Sequence, residues 1–223
     1  MQFKILPICV SHYSVGKSVL TLEDAKTIND YPVSVFSLLK HHNIDTLVLV
    51  DTSISGFLQA SQQCAKHNVK LVYGLKIVVC QNAEEKTEQS LKTEAKYIVF
   101  IKNNLGYKDI IKLSTVCCTK NFYYRPRIDF KQLKELWNEK NLKLCVPFYD
   151  SFLHLNTLES HLHVPNFSWT KPVFFVEDND LPFDYLIKNR VDEYTKANNY
   201  ETVRAQSIYY PDAQDFISYL TIR

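Results

Sequence analysis

Short runs of aliphatic and β-branched residues punctuate this chain, and polar or amphipathic stretches separate them. The runs start near Phe3, Thr46, Lys70, Tyr97, Lys143, Pro172 and Thr202. Thr46–Val50 leaves no room for a polar face, the pattern of a strand covered on both sides. Asp51-Thr52-Ser53 then ends it with small polar residues, at the strand edge where α/β folds place their chemistry. Ser55 is expected to cap a helix in which Phe57, Ala60 and Cys64 recur at helical spacing. His67-Asn68 stops that helix. Lys70–Tyr73 opens the next strand, which Gly74 is expected to break before Ile77–Cys80 resumes.

The same pattern can be followed from the start. Phe3–Val10 reads as the first strand and Ser11–Ser14 as a polar turn. Thr21–Asp24 reads as a capped helix start, and Pro32 as the first turn of a helix with Val33, Phe36 and Leu39 inward, ended by His41-His42. Adjacent histidines on a helix do not face one site, so these two are expected at a solvated helix end. Gln81–Lys96 is charged and reads as an exposed excursion, partly helical. After Tyr97–Ile101 a helix follows, with Ile110, Leu113 and Cys117 inward. A longer one spans Asp184–Asn198. Repeated strand-then-helix order implies parallel strands, and seven units in 223 residues suit a compact, incomplete barrel.

Composition narrows the class. Hydrophobic residues make up 46% and charged residues 22%, as in an ordinary globular chain, and 223 residues set one domain, 1–223, as the expectation. A net charge of +2 argues against a large basic face for nucleic acid. Four glycines leave little scope for phosphate-cradling loops. The six cysteines form no CxxC pair and lie mostly in apolar runs, so buried, reduced thiols are expected. No run reaches the ~18 apolar residues of a membrane span, and Met1-Gln2-Phe3-Lys4 does not open a secretory signal. A soluble, cytoplasmic protein with no membrane partner is the expectation.

Two stretches carry a family resemblance. Val50-Asp51-Thr52-Ser53 followed by Tyr73-Gly74-Leu75-Lys76 resembles the PHP (polymerase and histidinol phosphatase) domain, most closely the version at the N-terminus of bacterial DNA polymerase III alpha subunits. There the matching strand ends read Thr-Asp-His-Gly and Ile-Gly-Cys-Glu. Lys102, Asn103, Gly106, Tyr107, Lys112, Leu113 and Ser114 stand in register with a second family segment, read as a structural turn and cap. Pro126–Asp129 resembles the family's Pro-Arg-Val-Asp before a short helix, and Pro172–Glu177 and Thr202–Tyr210 resemble further family strands. The resemblance implies a distorted seven-stranded (β/α) barrel over nearly the whole chain.

It also implies a metal site, and most of that site is replaced. An active member would use divalent metals to hydrolyse phosphoesters. The family's paired histidines fall on Ile8 and Val10, and other ligand positions fall on Lys17, Thr52, Lys76, Ser207 and Tyr209. Asp51, His12 and Glu177 remain, a poor cage for a dication. No catalytic residue, no metal and no cofactor are therefore expected, and Lys76 is expected beside Asp51 as an internal ion pair. The implied role is a structural or docking module in DNA replication, with a polymerase or proofreading exonuclease as partner. The alternative is a residual phosphoesterase or exonuclease built on Asp51, Glu177, His154, His161 and His163. In a strand, His161-Leu162-His163 would share a face for a metal, but a connecting loop is the expected setting. Phe122–Arg127 (FYYRPR) has the composition of a stacking platform for single-stranded nucleic acid, and equally that of a packed surface loop; weak nucleic-acid binding stays open on this reading.

Overall fold

In the computed structural model, residues 5–24, 33–158 and 160–223 are described. Eight strands and eight α-helices alternate along them. In order these are β1 (Leu6–Cys9), α1 (Val35–His41), β2 (Thr46–Asp51), α2 (Phe57–Lys66), β3 (Lys70–Cys80) and α3 (Glu88–Leu91). There follow β4 (Ala95–Ile101), α4 (Asn104–Cys118), β5 (Ile128–Asp129), α5 (Phe130–Leu136), β6 (Leu142–Val146) and α6 (Phe152–Thr157). The last are β7 (Val173–Val176), α7 (Asp184–Asn198), β8 (Glu201–Ile208) and α8 (Phe216–Ile222). The strands pair in the order β2-β1-β8-β7-β6-β4-β3, and a β2–β3 pairing closes them into a ring of seven; β5 adds to β3. The fold is a mixed α/β one built on a closed, distorted barrel.

The chain divides into two compact units, residues 7–75 with 206–223, and residues 1–6 with 76–205. In the first, β2 pairs in parallel with β1 and with β3, and the second pairing stays in register from Thr46↔Lys70 to Asp51↔Leu75. Gly74 does not break β3, because its ladder place opposite Val50 is intact and a strand needs backbone pairing there rather than a side chain. Helix α2 is capped by Gly56 and not by Ser55. The Phe57 N–H bonds the Ile54 carbonyl, and that turn leaves Ser55 outside the helix. Ser34 caps α1, donating no charge but accepting the Phe36 N–H. Thr21 bridges Ser34 and its hydroxyl accepts the Glu23 N–H, so Thr21–Asp24 is a turn; Pro32 and the helix expected after Asp24 lie outside the described residues.

In the second unit, β6, β7 and β8 run parallel, but β4 runs antiparallel to β6. The all-parallel expectation fails here for a topological reason. Strand direction is set by the edge the chain reaches through α4, β5 and α5, and an aliphatic run buried on both faces, such as Tyr97–Ile101, pairs in either sense. Helix α4 follows the sequence closely: Asn103 caps the N–H groups of Leu105 and Gly106, while Ile110, Leu113 and Cys117 are buried. A Cβ on Gly106 would sit 2.5 Å from the Asn141 carbonyl oxygen, which explains the glycine. Tyr97, Phe130, Phe152, Phe167 and Phe174 build an aromatic cluster beside β4 and β7. The Gln81–Lys96 excursion is not wholly exposed: Ala83, Ser90 and Glu94 are buried, and only α3 is helical. Five cysteines are buried and Cys118 is exposed. Burial pushes the Cys9 and Cys145 thiols up to about 12, so they stay protonated and inert.

Candidate functional site

The polar chemistry of the first unit collects where β1 and β2 end. Asp51 is fully buried, 0% exposed. Its Oδ1 accepts the Ser11 N–H at 2.9 Å and the Ser14 hydroxyl at 2.7 Å, and its Oδ2 accepts the Ser11 hydroxyl at 2.8 Å. The Ser14 oxygen in turn accepts the Thr52 N–H at 3.0 Å. Buried carboxylates need such donors, because each unmet lone pair forfeits its hydration. Residues 11–14 make a turn closed by the Ser14 N–H to the Ser11 carbonyl, which aims both hydroxyls at Asp51. Ser18 links the neighbouring strand ends, donating to the Val10 and Tyr209 carbonyls.

Around this knot the expected positions separate by burial. Ile8 and Val10 are core residues, 3% and 4% exposed. His12 and Lys17 are exposed on the turn, with the His12 ring 4.4 Å from that of Tyr13. Thr52 is exposed, while Ser207 and Tyr209 are half-buried; the Tyr209 ring lies 5.8 Å from Tyr219. The sequence reading marked Asp51 but missed Ser11 and Ser14 as its ligands. The available signal was a Ser-x-x-Ser turn directly after an apolar strand.

Strand ends of the second unit carry a different set. Lys96 donates to Asp150 at 2.7 Å, and the Asp150 N–H donates to His154 Nδ1 at 2.8 Å. Burial alone would raise the Asp150 carboxyl, but the Lys96 hydrogen bond and the charges of Lys96, Lys76 and His154 outweigh it and hold it below the usual range. Burial pushes the His154 imidazole down, against the pull of Asp150 and Asp184. The Tyr149 hydroxyl donates to Asp184 at 2.8 Å and accepts from Asn179 at 3.0 Å; the Asn179 amide also reaches Glu177 at 3.4 Å. Burial raises the Tyr149 phenol well above its ordinary value, so it remains a neutral donor. Glu177 is 5% exposed and Lys76 is half-buried.

Two sequence candidates resolve into structure. In FYYRPR, Arg127 is 0% exposed; it donates to Ser90 at 2.8 Å, to Glu94 at 3.4 Å and to the Glu85 carbonyl, and lies 5.0 Å over the Tyr123 ring. That arginine holds a loop together and is closed to a nucleic-acid strand. His161-Leu162-His163 lies in a loop, with His161 in the left-handed region, so the two rings do not share a strand face. Among the described residues, no group of three or more His, Cys, Asp or Glu converges as a metal would require. No described helix is long and apolar enough to cross a membrane.

A closed strand ring with helices on its connections and buried acids at its strand ends defines an α/β barrel of the kind that carries chemistry at strand termini. The family model for the PHP domain matches residues 9–162. The chain belongs to the PHP domain family. It is 28% identical over 127 residues to the DNA polymerase III subunit alpha of Borreliella burgdorferi, a match that covers 56% of this chain and 11% of that protein. The same subunit of Chlamydia muridarum is 25% identical over 131 residues, 57% of this chain and 10% of the relative. This chain thus spans about a tenth of the length of the relatives it matches.

Proposed function

We infer that this chain is a PHP barrel without hydrolytic activity of its own, acting as a structural or docking module in DNA replication. Its partner on this reading is a replicative polymerase or a proofreading exonuclease, in the cytoplasm. One observation carries the first half: the positions of the family's paired metal histidines are the buried aliphatic side chains Ile8 and Val10, while both oxygens of the adjacent Asp51 are already engaged by Ser11 and Ser14. An isoleucine and a valine offer no lone pair, and a carboxylate so engaged would have to break short hydrogen bonds to ligate a cation. The residues present therefore do not suit the family's metal group, and no reaction step is assigned to them. Similarity to DNA polymerase III alpha subunits supports the second half.

The test has two arms. Purified protein dialysed against manganese should retain less than one metal per chain by mass spectrometry, and should hydrolyse neither an aryl phosphate ester nor a 3′-labelled single strand. Immobilised protein should retain the replicative polymerase or its exonuclease from a defined mixture. Tight divalent binding with turnover would establish the residual phosphoesterase instead. Failure to retain either protein would remove the docking role.

A further inference from the structure

Helix α8 departs from the usual pattern of a surface helix. It runs Phe216–Ile222 (FISYLTI) without one charged residue, and none of its residues is buried. A helix apolar on nearly every side is ordinarily covered. Here Ile217 is 75% exposed, and Phe216, Leu220 and Ile222 are exposed as well. Phe216, Ile217 and Leu220 share one side of the helix, at spacings of one and four residues. The helix is seated on its own unit, not loose. The Tyr219 ring lies 5.8 Å from that of Tyr209 and 5.3 Å from that of Tyr210, and the Phe216 ring 5.8 Å from that of Tyr210. Apolar surface continues onto the neighbouring turn, where Val15 is 88% exposed. Gly16 beside it approaches the helix end so closely that a Cβ there would meet the Ile222 carbonyl oxygen at 3.3 Å.

The charges at its two ends say what covers this face. Asp212 and Asp215 stand just before the helix, while Arg223 follows it and Lys17, next to Gly16, lies at that same end. One end is acidic, the other basic, and the middle is apolar. A face of this kind complements itself when inverted. Two copies of α8 laid antiparallel bring the aspartates of each towards the Arg223 end of the other, and pack Ile217 and Leu220 on their equivalents. We propose that α8 with the Val15 turn is the contact of a two-fold dimer, its occupant a second copy of this chain. A seven-residue helix and one turn cover less than the ~800 Å² per partner of a stable interface. The association is therefore weak and reversible, with a dissociation constant of roughly micromolar order or above. This contact is independent of the docking role inferred above.

Sedimentation velocity of the full chain from about 2 to about 200 μM tests it, a range that brackets weak association. The mass should rise from one chain to two and no further. Ile217→Glu should weaken the dimer at least ~100-fold, because the two-fold axis places two charges in the apolar contact. Leu220→Glu should do the same. Both side chains face solvent in a single copy, so neither variant should lower the melting temperature at the lowest concentration. Arg223→Glu should weaken the dimer a few-fold, and high salt should erase that difference. A chain that stays single throughout the range would overturn the proposal. So would a dimer that Ile217→Glu leaves intact, an Arg223→Glu dimer as tight as the parent, or a glutamate variant that melts earlier at the lowest concentration, where the face would be serving the fold. Loss of polymerase retention in Ile217→Glu at that concentration would give the face to that partner and overturn the dimer, whereas retention unchanged in a dissociated variant separates the two contacts, as expected.

Discussion

Asp51 and Glu94 are both buried carboxylates, yet the chain meets them differently. Among the described residues, the hydrogen bonds to Asp51 come from neutral donors: one amide and two serine hydroxyls. Glu94 is met by two cations: Arg127, 0% exposed, and Arg125, whose Nε lies 2.6 Å from its Oε2. The contrast shows two routes to the same end. Short hydroxyls presented by a local turn cost little side-chain entropy and bury no second charge. A buried guanidinium supplies charge and reach, but it must itself be satisfied, and the Arg127 Nε finds no partner among the described residues. The first arrangement belongs to a strand end of the barrel, the second to a loop stitched onto it.

The sharpest break is Arg127→Met. It removes the buried partner of Glu94 and the donor that the Ser90 hydroxyl and the Glu85 carbonyl accept from. Breaking a buried pair in this way costs roughly 3–5 kcal/mol, and the lower end is expected because Arg125 still reaches Glu94. Urea denaturation followed by circular dichroism measures it. Arg127→Lys should not restore stability, because a single ammonium cannot span Ser90, Glu94 and the Glu85 carbonyl together. On the other side, Ser14→Ala removes one donor to Asp51 and the acceptor for the Thr52 N–H. Its expected cost is about 1.5–3 kcal/mol, that of a hydrogen bond to a charged group. A Ser14→Ala loss as large as that of Arg127→Met would erase the distinction between the two devices.

How much of this could be read beforehand follows from how local each cause is. The strands near Thr46, Tyr97 and Thr202 were legible because β-branched runs are a local signal, and so was the Asn103 cap, whose donors lie two and three residues ahead. The direction of β4 was not legible, since an aliphatic run buried on both faces pairs in either sense and nothing local records which. Nor was the two-residue β5, too short for any period. At the candidate site, Ile8, Val10 and Asp51 could be placed from their strands. The serines holding Asp51 lie about 40 residues away in sequence and read as ordinary turn residues. The His154–Asp150–Lys96 set rests on contacts between distant segments, which no spacing records.

Acid should separate the ion-paired set from the serine-held one. His154 has its folded-state value lowered below 6.5, so the unfolded chain takes up the proton first and stability falls as pH drops from about 6.5. Protonation also removes the Nδ1 lone pair that accepts the Asp150 N–H. Asp150 is lowered below 3.8, so its contribution is complete above that value and is lost as pH falls through the lower folded value. Asp150 is half exposed, which keeps the second loss small. Midpoints of urea unfolding between pH 7.5 and 5 should therefore drop in the wild type and drop less in His154→Gln. An identical decline in both would assign the acid sensitivity elsewhere.

The finest cut compares the two arginines on one carboxylate. Arg125 is 50% exposed and makes the shorter contacts to Glu94; Arg127 is buried and makes the longer one. If distance ruled, Arg125→Ala would be the costlier change. Solvent screening and the freedom of an exposed side chain argue the reverse, holding an exposed pair to about 0–1 kcal/mol. The expected order is thus opposite to the order of the distances, with Arg125→Ala near neutral and its small effect fading in 0.5 M salt, where the Debye length falls to about 4 Å. A loss for Arg125→Ala that matched Arg127→Met and persisted in salt would mean that Glu94 is held chiefly from the solvent side, and the buried guanidinium would then be a filler of the loop rather than its clamp.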